Sequence, residues 1–246
     1  MKKSDSFYIR VGGDYACFTD PNLKVERVSY PAMTPSAARG ILEAIFWKPA
    51  FRWEIRSITI LKPIKTLSVM RNEIKDRQSN KPIIIESPKQ RQQRVSLILK
   101  DVEYIIEAKI ALVWKSKRIK AYTEQFERKL KRGAYHHAPC LGTREFAAWL
   151  EPTTKEQRKI DIKALPVNNQ YIGVMHFDTA FVNSESRQNM RFVRHDLMEG
   201  NTAQPPQVCK GYQHHLFFPA SIENNQIIVP ADKYSEIYEL ENLDVC

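Results

Sequence analysis

Within the first 150 residues, only two stretches repeat apolar residues at helical spacing, and the remaining apolar runs alternate or are rich in β-branched side chains. In the first, Thr34 suits a helix cap and Pro35 the first helical position. Ala38, Ile41, Leu42, Ile45 and Phe46 then share a face, and Pro49 ends the run. In the second, Ile119, Tyr122, Phe126 and Leu130 share a face, and Gly133 follows where a left-handed helix end favours glycine. Ser6–Val11 reads as a strand stopped by Gly12-Gly13. Phe51–Arg56 alternates and Ile58–Ile60 continues in the opposite phase, which predicts a bulge near Ser57. Leu67–Ile74 reads as a hairpin arm, and Lys75–Arg94 as a polar, mobile insertion. Val95–Leu99 and Val102–Trp114 read as an antiparallel pair around a turn at Lys100-Asp101, and a last strand is expected near Thr143–Leu150.

This order, strand, helix, strands, helix, strand, predicts an α+β, ferredoxin-like (RRM-like) βαββαβ domain over residues 1–152, with both helices on one face of an antiparallel sheet. After Glu151-Pro152 the texture changes. Thr153–Lys163 is polar, Gln170–Val182 and Met190–Met198 alternate like strands, and Asn224-Asn225 centres a hairpin within Ile222–Pro230. The only helix expected there is Pro230–Leu240, so residues 153–246 read as a small antiparallel β-rich domain.

Charge points to the partner. The chain carries net +10. Between Lys115 and Arg132, the cations Lys115, Lys117, Arg118, Lys120, Arg128, Lys129, Lys131 and Arg132 face only Glu124 and Glu127. Such a balance favours phosphate-rich partners or an anionic membrane surface over acidic small molecules. No apolar run is long enough to span a bilayer, and no signal peptide is apparent. Cys17, Cys140, Cys209 and Cys246 are scattered without metal-ligand spacing, which reads as reduced thiols in a cytoplasmic protein without zinc.

The common nucleotide, zinc and acyl-transfer motifs are absent, and no acidic cluster suggests bound magnesium, so no cofactor or metal is expected. Metal-free cleavage of RNA needs a base for the 2′-hydroxyl, an acid for the leaving oxygen and cations for the charge that develops on phosphorus. His136 and His137, in the loop after the basic helix, and Tyr122 and Lys120, within it, are the candidates. Arg71 and Arg144 each have a glutamate nearby and suit either an ion pair or a phosphate contact. His176, His195 and His214-His215 read as core or surface histidines. Chemistry alone reaches nucleic-acid binding, with RNA cleavage open.

The runs Gly13–Ala16, Phe18–Pro21, Thr34–Leu42, Trp47–Pro49, Met70–Glu73 and Leu141–Phe146, in that order, resemble the type I-C (Dvulg subtype) Cas-five family of CRISPR-associated proteins, a RAMP-superfamily subunit. The resemblance implies a ferredoxin-like domain followed by a small β-rich one. It also implies metal-independent cleavage of precursor crRNA at the base of the repeat hairpin, leaving a 2′,3′-cyclic phosphate. The expected partners are that hairpin, the mature crRNA, the other subunits of the interference complex and duplex DNA, with no membrane. A catalytic tyrosine late in the first helix and a Lys-His pair at the start of the second are implied as well. Those positions read Phe46 and Lys120-Ala121-Tyr122 here. Either Tyr122 and Lys120, with His136 or His137, take over the chemistry, or the protein chiefly binds. Lys117, Arg118, Arg128, Lys129, Lys131, Arg132, Arg71 and Arg144 are the expected RNA contacts.

Overall fold

The computed structural model describes residues 2–23, 25–75, 85, 90–113, 118–199 and 202–242. The insertion expected over Lys75–Arg94 lies largely outside these residues, as does Lys117. The main antiparallel sheet is built from β1 (Phe7–Ala16), β2 (Phe51–Ile60), β3 (Thr66–Ile74), β4 (Arg91–Leu112) and β5 (Trp149–Thr153). Its order is β5-β1-β4-β2, which is the ferredoxin-like arrangement. β2 pairs with the second half of β4 and β3 with its first half, so these two form one interrupted arm along a single 22-residue strand.

Two details of the sheet differ from the expectations. Lys100-Asp101 is not a hairpin turn, because β4 runs straight through it. Asp101 adopts φ 55° inside the strand, and Lys62 (2.6 Å) and Lys65 (3.4 Å) hold its carboxylate from the gap between β2 and β3. Gly12-Gly13 does not stop β1 either. A methyl group at Gly12 would lie 2.5 Å from the Trp149 ring, so the glycine admits a neighbour that packs onto the strand. The expected bulge is present, as a register shift between Ile55 and Ser57.

Helix α1 (Pro35–Ile45) starts as its residues predict, with the Thr34 hydroxyl accepting the Ala37 N–H at 3.2 Å. Helix α2 (Ile119–Arg132) ends on Gly133 at φ 61°. Both pack on the sheet face that carries Phe7, Ile9 and Val11. Phe126 of α2 is fully buried, with its ring 4.6 Å from Trp53 and 5.1 Å from Phe7. Burial of one such side chain contributes about 1.5–3 kcal/mol.

Residues 153–163 are not the polar connector that composition suggests. They form α3 (Lys155–Lys163), capped by the Thr154 hydroxyl, which accepts the Gln157 N–H at 3.1 Å. No residue of this helix is buried, which is why hydrophobic periodicity misses it. Strand β6 (Gln170–Asn183), β7 (Met190–Arg194), the short β8 (Met198–Glu199) and β9 (Thr202–Ala203), and β10 (Gln207–Ile222) follow, and β6-β10-β7 form a second sheet. The Asn224-Asn225 turn, at φ 49° and 65°, leads into β11 (Gln226–Ile228), which joins the main sheet beside β2. Helix α4 (Asp232–Leu240) closes the described chain, and its Tyr234 hydroxyl bonds both the N–H (2.6 Å) and the C=O (3.2 Å) of Ile55, on β2 beyond the residues β11 pairs. One buried cluster runs from Ile9 and Trp53 through α1 to Phe177 and Tyr238. Arg39 of α1 grips Asp178 of β6 through two hydrogen bonds, 2.6 and 2.8 Å, so α1 is held to both sheets.

On the sheet face away from α1 and α2, α3 is anchored through Arg158. Arg158 reaches down to Ser57 (2.9 Å) and Glu107 (2.7 Å), and its guanidinium lies 4.9 Å from the Tyr8 ring. Burial alone would raise the Glu107 carboxyl, but the Ser57 hydrogen bond and the Arg158 charge outweigh it and hold the group below the ordinary carboxylate range. Arg158→Ala is expected to destabilise the fold by about 1.5–3 kcal/mol, read as a lower urea midpoint at neutral pH. Because the folded value is depressed, the pair's contribution is complete above the unfolded carboxylate value of about 4.3 and is lost as pH falls through the folded one. The two proteins should therefore converge in acid. An unchanged midpoint at pH 7 would show that α3 does not lean on this contact.

Candidate nucleic-acid interface

The last turn of α1 leaves carbonyl oxygens without helical partners, and three other parts of the chain supply donors. The N–H groups of His136 (2.7 Å) and His137 (3.2 Å) both point at the Ala44 oxygen. Lys129 of α2 donates to the Ile45 oxygen at 3.3 Å, and the Trp53 indole to the Phe46 oxygen at 2.9 Å. A cation and two N–H groups at a helix C-terminus also suit its partial negative charge. The histidine loop is therefore anchored by its backbone to α1 while both side chains stay exposed, their rings 4.2 Å apart.

Tyr122 meets the same corner. Its ring packs 6.4 Å from Phe46 and 5.4 Å from Phe51, and it is half-buried. Phe46 has no hydroxyl, yet a phenol from the neighbouring helix rests on its ring. Lys129 lies 6.0 Å from the same ring. The structure thus gathers Tyr122, Lys129, His136 and His137 around one helix end. Lys120 stands exposed in the first turn of α2, and Arg118 holds the cap position before it. Arg128, Lys131 and Arg132 are exposed farther along α2.

Beyond the histidine loop, a groove of about 920 Å³ runs between α1 and the segment 137–144. Ser36, Ala37, Gly40 and Ala44 give it a low floor, His137 and Arg144 line one side, and Cys17 to Thr19 line its end. His176 also borders it. This ring is buried, which lowers its pKa, and it bonds Thr179 at 3.2 Å, with Thr179 in turn 2.9 Å from His215. Arg71 is engaged elsewhere. It pairs with Glu145, bonds Ser96 at 3.0 Å and lies 3.5 Å from Glu73, within a network that also holds Arg27 and Arg94. That network ties the loop carrying Arg144 to β3.

The two faces of the sheet decide where an anionic polymer fits. The face under α3 carries Glu107 and also Glu103, which is buried against Arg10. Arg158 and Arg10 pair with these two carboxylates, so both guanidiniums are already engaged. Arg128, Lys131 and Arg132 are exposed on α2 and Arg144 borders the groove, while α3 presents exposed Lys155, Lys159 and Lys163 on the other side. Trp47, from the Trp47–Pro49 run, and His195, expected as a core or surface histidine, meet edge to face at 5.5 Å just beyond Phe46.

Residues 8–230 match the family described as CRISPR-associated protein (Cas_Cas5). The chain is 46% identical over 234 residues to the CRISPR pre-crRNA endoribonuclease Cas5d of Thermus thermophilus, covering 95% of each. It is 38% identical over 217 residues to the protein of the same name from Mannheimia succiniciproducens, covering 80% of this chain and 94% of that one. Its fold also resembles a crystal structure of a CRISPR-associated protein, with a TM-score of 0.62 at 19% identity over 100% of this chain and 97% of the other.

Proposed function

The chain belongs to the Cas5 family of CRISPR-associated proteins, and we propose that it is an endoribonuclease that binds precursor crRNA, cuts it at the base of the repeat hairpin and keeps the product within a type I-C interference complex. The names of the two relatives, at 46% and 38% identity, support the activity. The observation that carries the reading on to this chain's own residues is the seating of Tyr122 on Phe46, beside Lys129 and the histidine loop.

In the reaction, the ribose 2′-oxygen bonds to the adjacent phosphorus and gives its proton to a base. The bond to the 5′-oxygen breaks, and that oxygen takes a proton from an acid. The products are a 2′,3′-cyclic phosphate and a 5′-hydroxyl. We assign the proton transfers to Tyr122, Lys120 and the His136-His137 pair, and the charge on phosphorus to cations at the same helix end. Arg118, Arg128, Lys131 and Arg132 on α2, together with Arg144 in the groove, are the proposed RNA contacts; Arg71 holds the loop that carries Arg144, and Lys117 lies outside the described residues. Phe46 favours a second reading, in which the protein holds crRNA without cutting it.

Tyr122→Phe and Lys120→Ala are each expected to slow single-turnover cleavage of labelled repeat RNA by about 10²–10⁴-fold while hairpin affinity changes little. Unchanged rates in both variants would remove these residues from the site. RNA that shifts on a native gel but stays intact on a denaturing one, with the unsubstituted protein, would choose the binding reading. Cleavage is expected to proceed equally in excess chelator, and cutting that needs added magnesium would sink the proposed acid–base mechanism. Arg144→Ala should weaken binding across repeat sequences and lower the slope of log affinity against log salt by about one. An unaltered slope would take Arg144 out of phosphate contact.

A further inference from the structure

A second cavity, of about 300 Å³, opens between the start of β2, the edge of the C-terminal sheet and the end of α4. That volume is at the lower end for small-ligand sites, which span about 300–1,000 Å³. Phe181 and Phe192 form an aromatic wall, with ring centroids 5.7 Å apart. The polar lining is two ion pairs. Arg194 donates to Asp196 through two hydrogen bonds, 3.1 and 2.7 Å, and Arg52 pairs with Glu241, whose other oxygen accepts the Phe181 N–H at 3.0 Å. Glu241 is almost wholly buried.

In a chain of net +10 this cavity holds as many carboxylates as guanidiniums. A phosphate entering it would meet Glu241 and Asp196, so the lining suits a neutral, flat ligand rich in hydrogen-bonding groups. Its position narrows the choice. His195, between Arg194 and Asp196, contacts Trp47, which is 43% exposed and directly follows Phe46. Through that contact, the segment that lines the cavity reaches the residue that follows Phe46 at the end of α1.

We propose that this cavity receives one unstacked guanine of the bound RNA, its ring on the Phe181–Phe192 wall and its polar edge on the carboxylate–guanidinium lining. Single-stranded RNA is read in this way, by stacking a splayed base on aromatic rings and bonding its Watson–Crick edge. Guanine alone among the four bases offers two adjacent N–H donors beside a carbonyl acceptor. Carboxylate oxygens next to arginine donors complement that edge. The assignment of RNA as the polymer rests on the function proposed above, whereas the cavity's preference can be read without any polymer.

The test uses the full chain and the four neutral ribonucleosides, followed by saturation-transfer NMR, so phosphate attraction plays no part. Guanosine is expected to bind at least about tenfold more tightly than adenosine, cytidine or uridine, the factor that one charge-assisted hydrogen bond supplies. Glu241→Gln should remove that preference. Val193→Trp, at a half-exposed residue on the rim, should block all four without touching the core. Equal binding of the four, preference for another nucleoside, or guanosine binding that survives both substitutions would overturn the inference. A protein that cuts repeat RNA yet ignores guanosine would refute the cavity alone. One that selects guanosine but neither binds nor cuts repeat RNA would support the cavity's preference and refute the proposed function.

Discussion

Three oxygens at the end of α1 hold the functional corner together. Ala44, Ile45 and Phe46 give their carbonyls to the histidine loop, to Lys129 of α2 and to the Trp53 indole of β2. Each donor comes from a different part of the chain, so the helix end fixes loop, second helix and sheet relative to one another. A buried carbonyl without a partner is destabilising by about 1–3 kcal/mol, so these three contacts are jointly demanded by the fold. Their functional consequence follows from geometry. The loop is pinned through backbone N–H groups, which leaves the imidazoles of His136 and His137 outside the pinning bonds.

Placement of charge then assigns a role to each face. α3 buries almost nothing of its own, yet Arg158 seals the sheet by meeting Glu107, Ser57 and Tyr8. A ferredoxin-like sheet with its free face open and aromatic would be a platform for bases. Here Arg158 of α3 lies on that face and its carboxylates are paired with arginines, while α2 presents exposed cations beside the groove along α1. Arg39 and Asp178 hold α1 against the second sheet, which sets one boundary of that groove.

Local signals recovered the helices that also bury a face. Thr34-Pro35 and Gly133 mark ends that the structure reproduces, because caps act over one turn and need no distant partner. Failures came where distant residues decide. Lys100-Asp101 has turn chemistry, but Lys62 and Lys65 stabilise the left-handed residue inside a continuous strand. Gly12 looks like a stop until Trp149 is seen to need its missing side chain. α3 was hidden because its anchor is one arginine and its cap a Thr-x-x-Gln pattern in a polar run. At the site, the residues were legible by type and not by arrangement. Nothing in the order of Phe46 and Tyr122 along the chain says that their rings touch.

That contact alters how the absence of a tyrosine at position 46 should be weighed. A hydroxyl is missing from α1, but the ring of a tyrosine on α2 lies 6.4 Å from the Phe46 ring, and this contact is what supports the role proposed for Tyr122. Under the two proposals, the cations and the neutral cavity would divide the work of recognition. Phosphate contacts on α2 supply affinity that falls with salt and carries no sequence information. A cavity with balanced charge adds little to that term and gains only when the right base edge enters it. In that division, nonspecific attraction along α2 would hold the strand while a single base in the cavity would set its register.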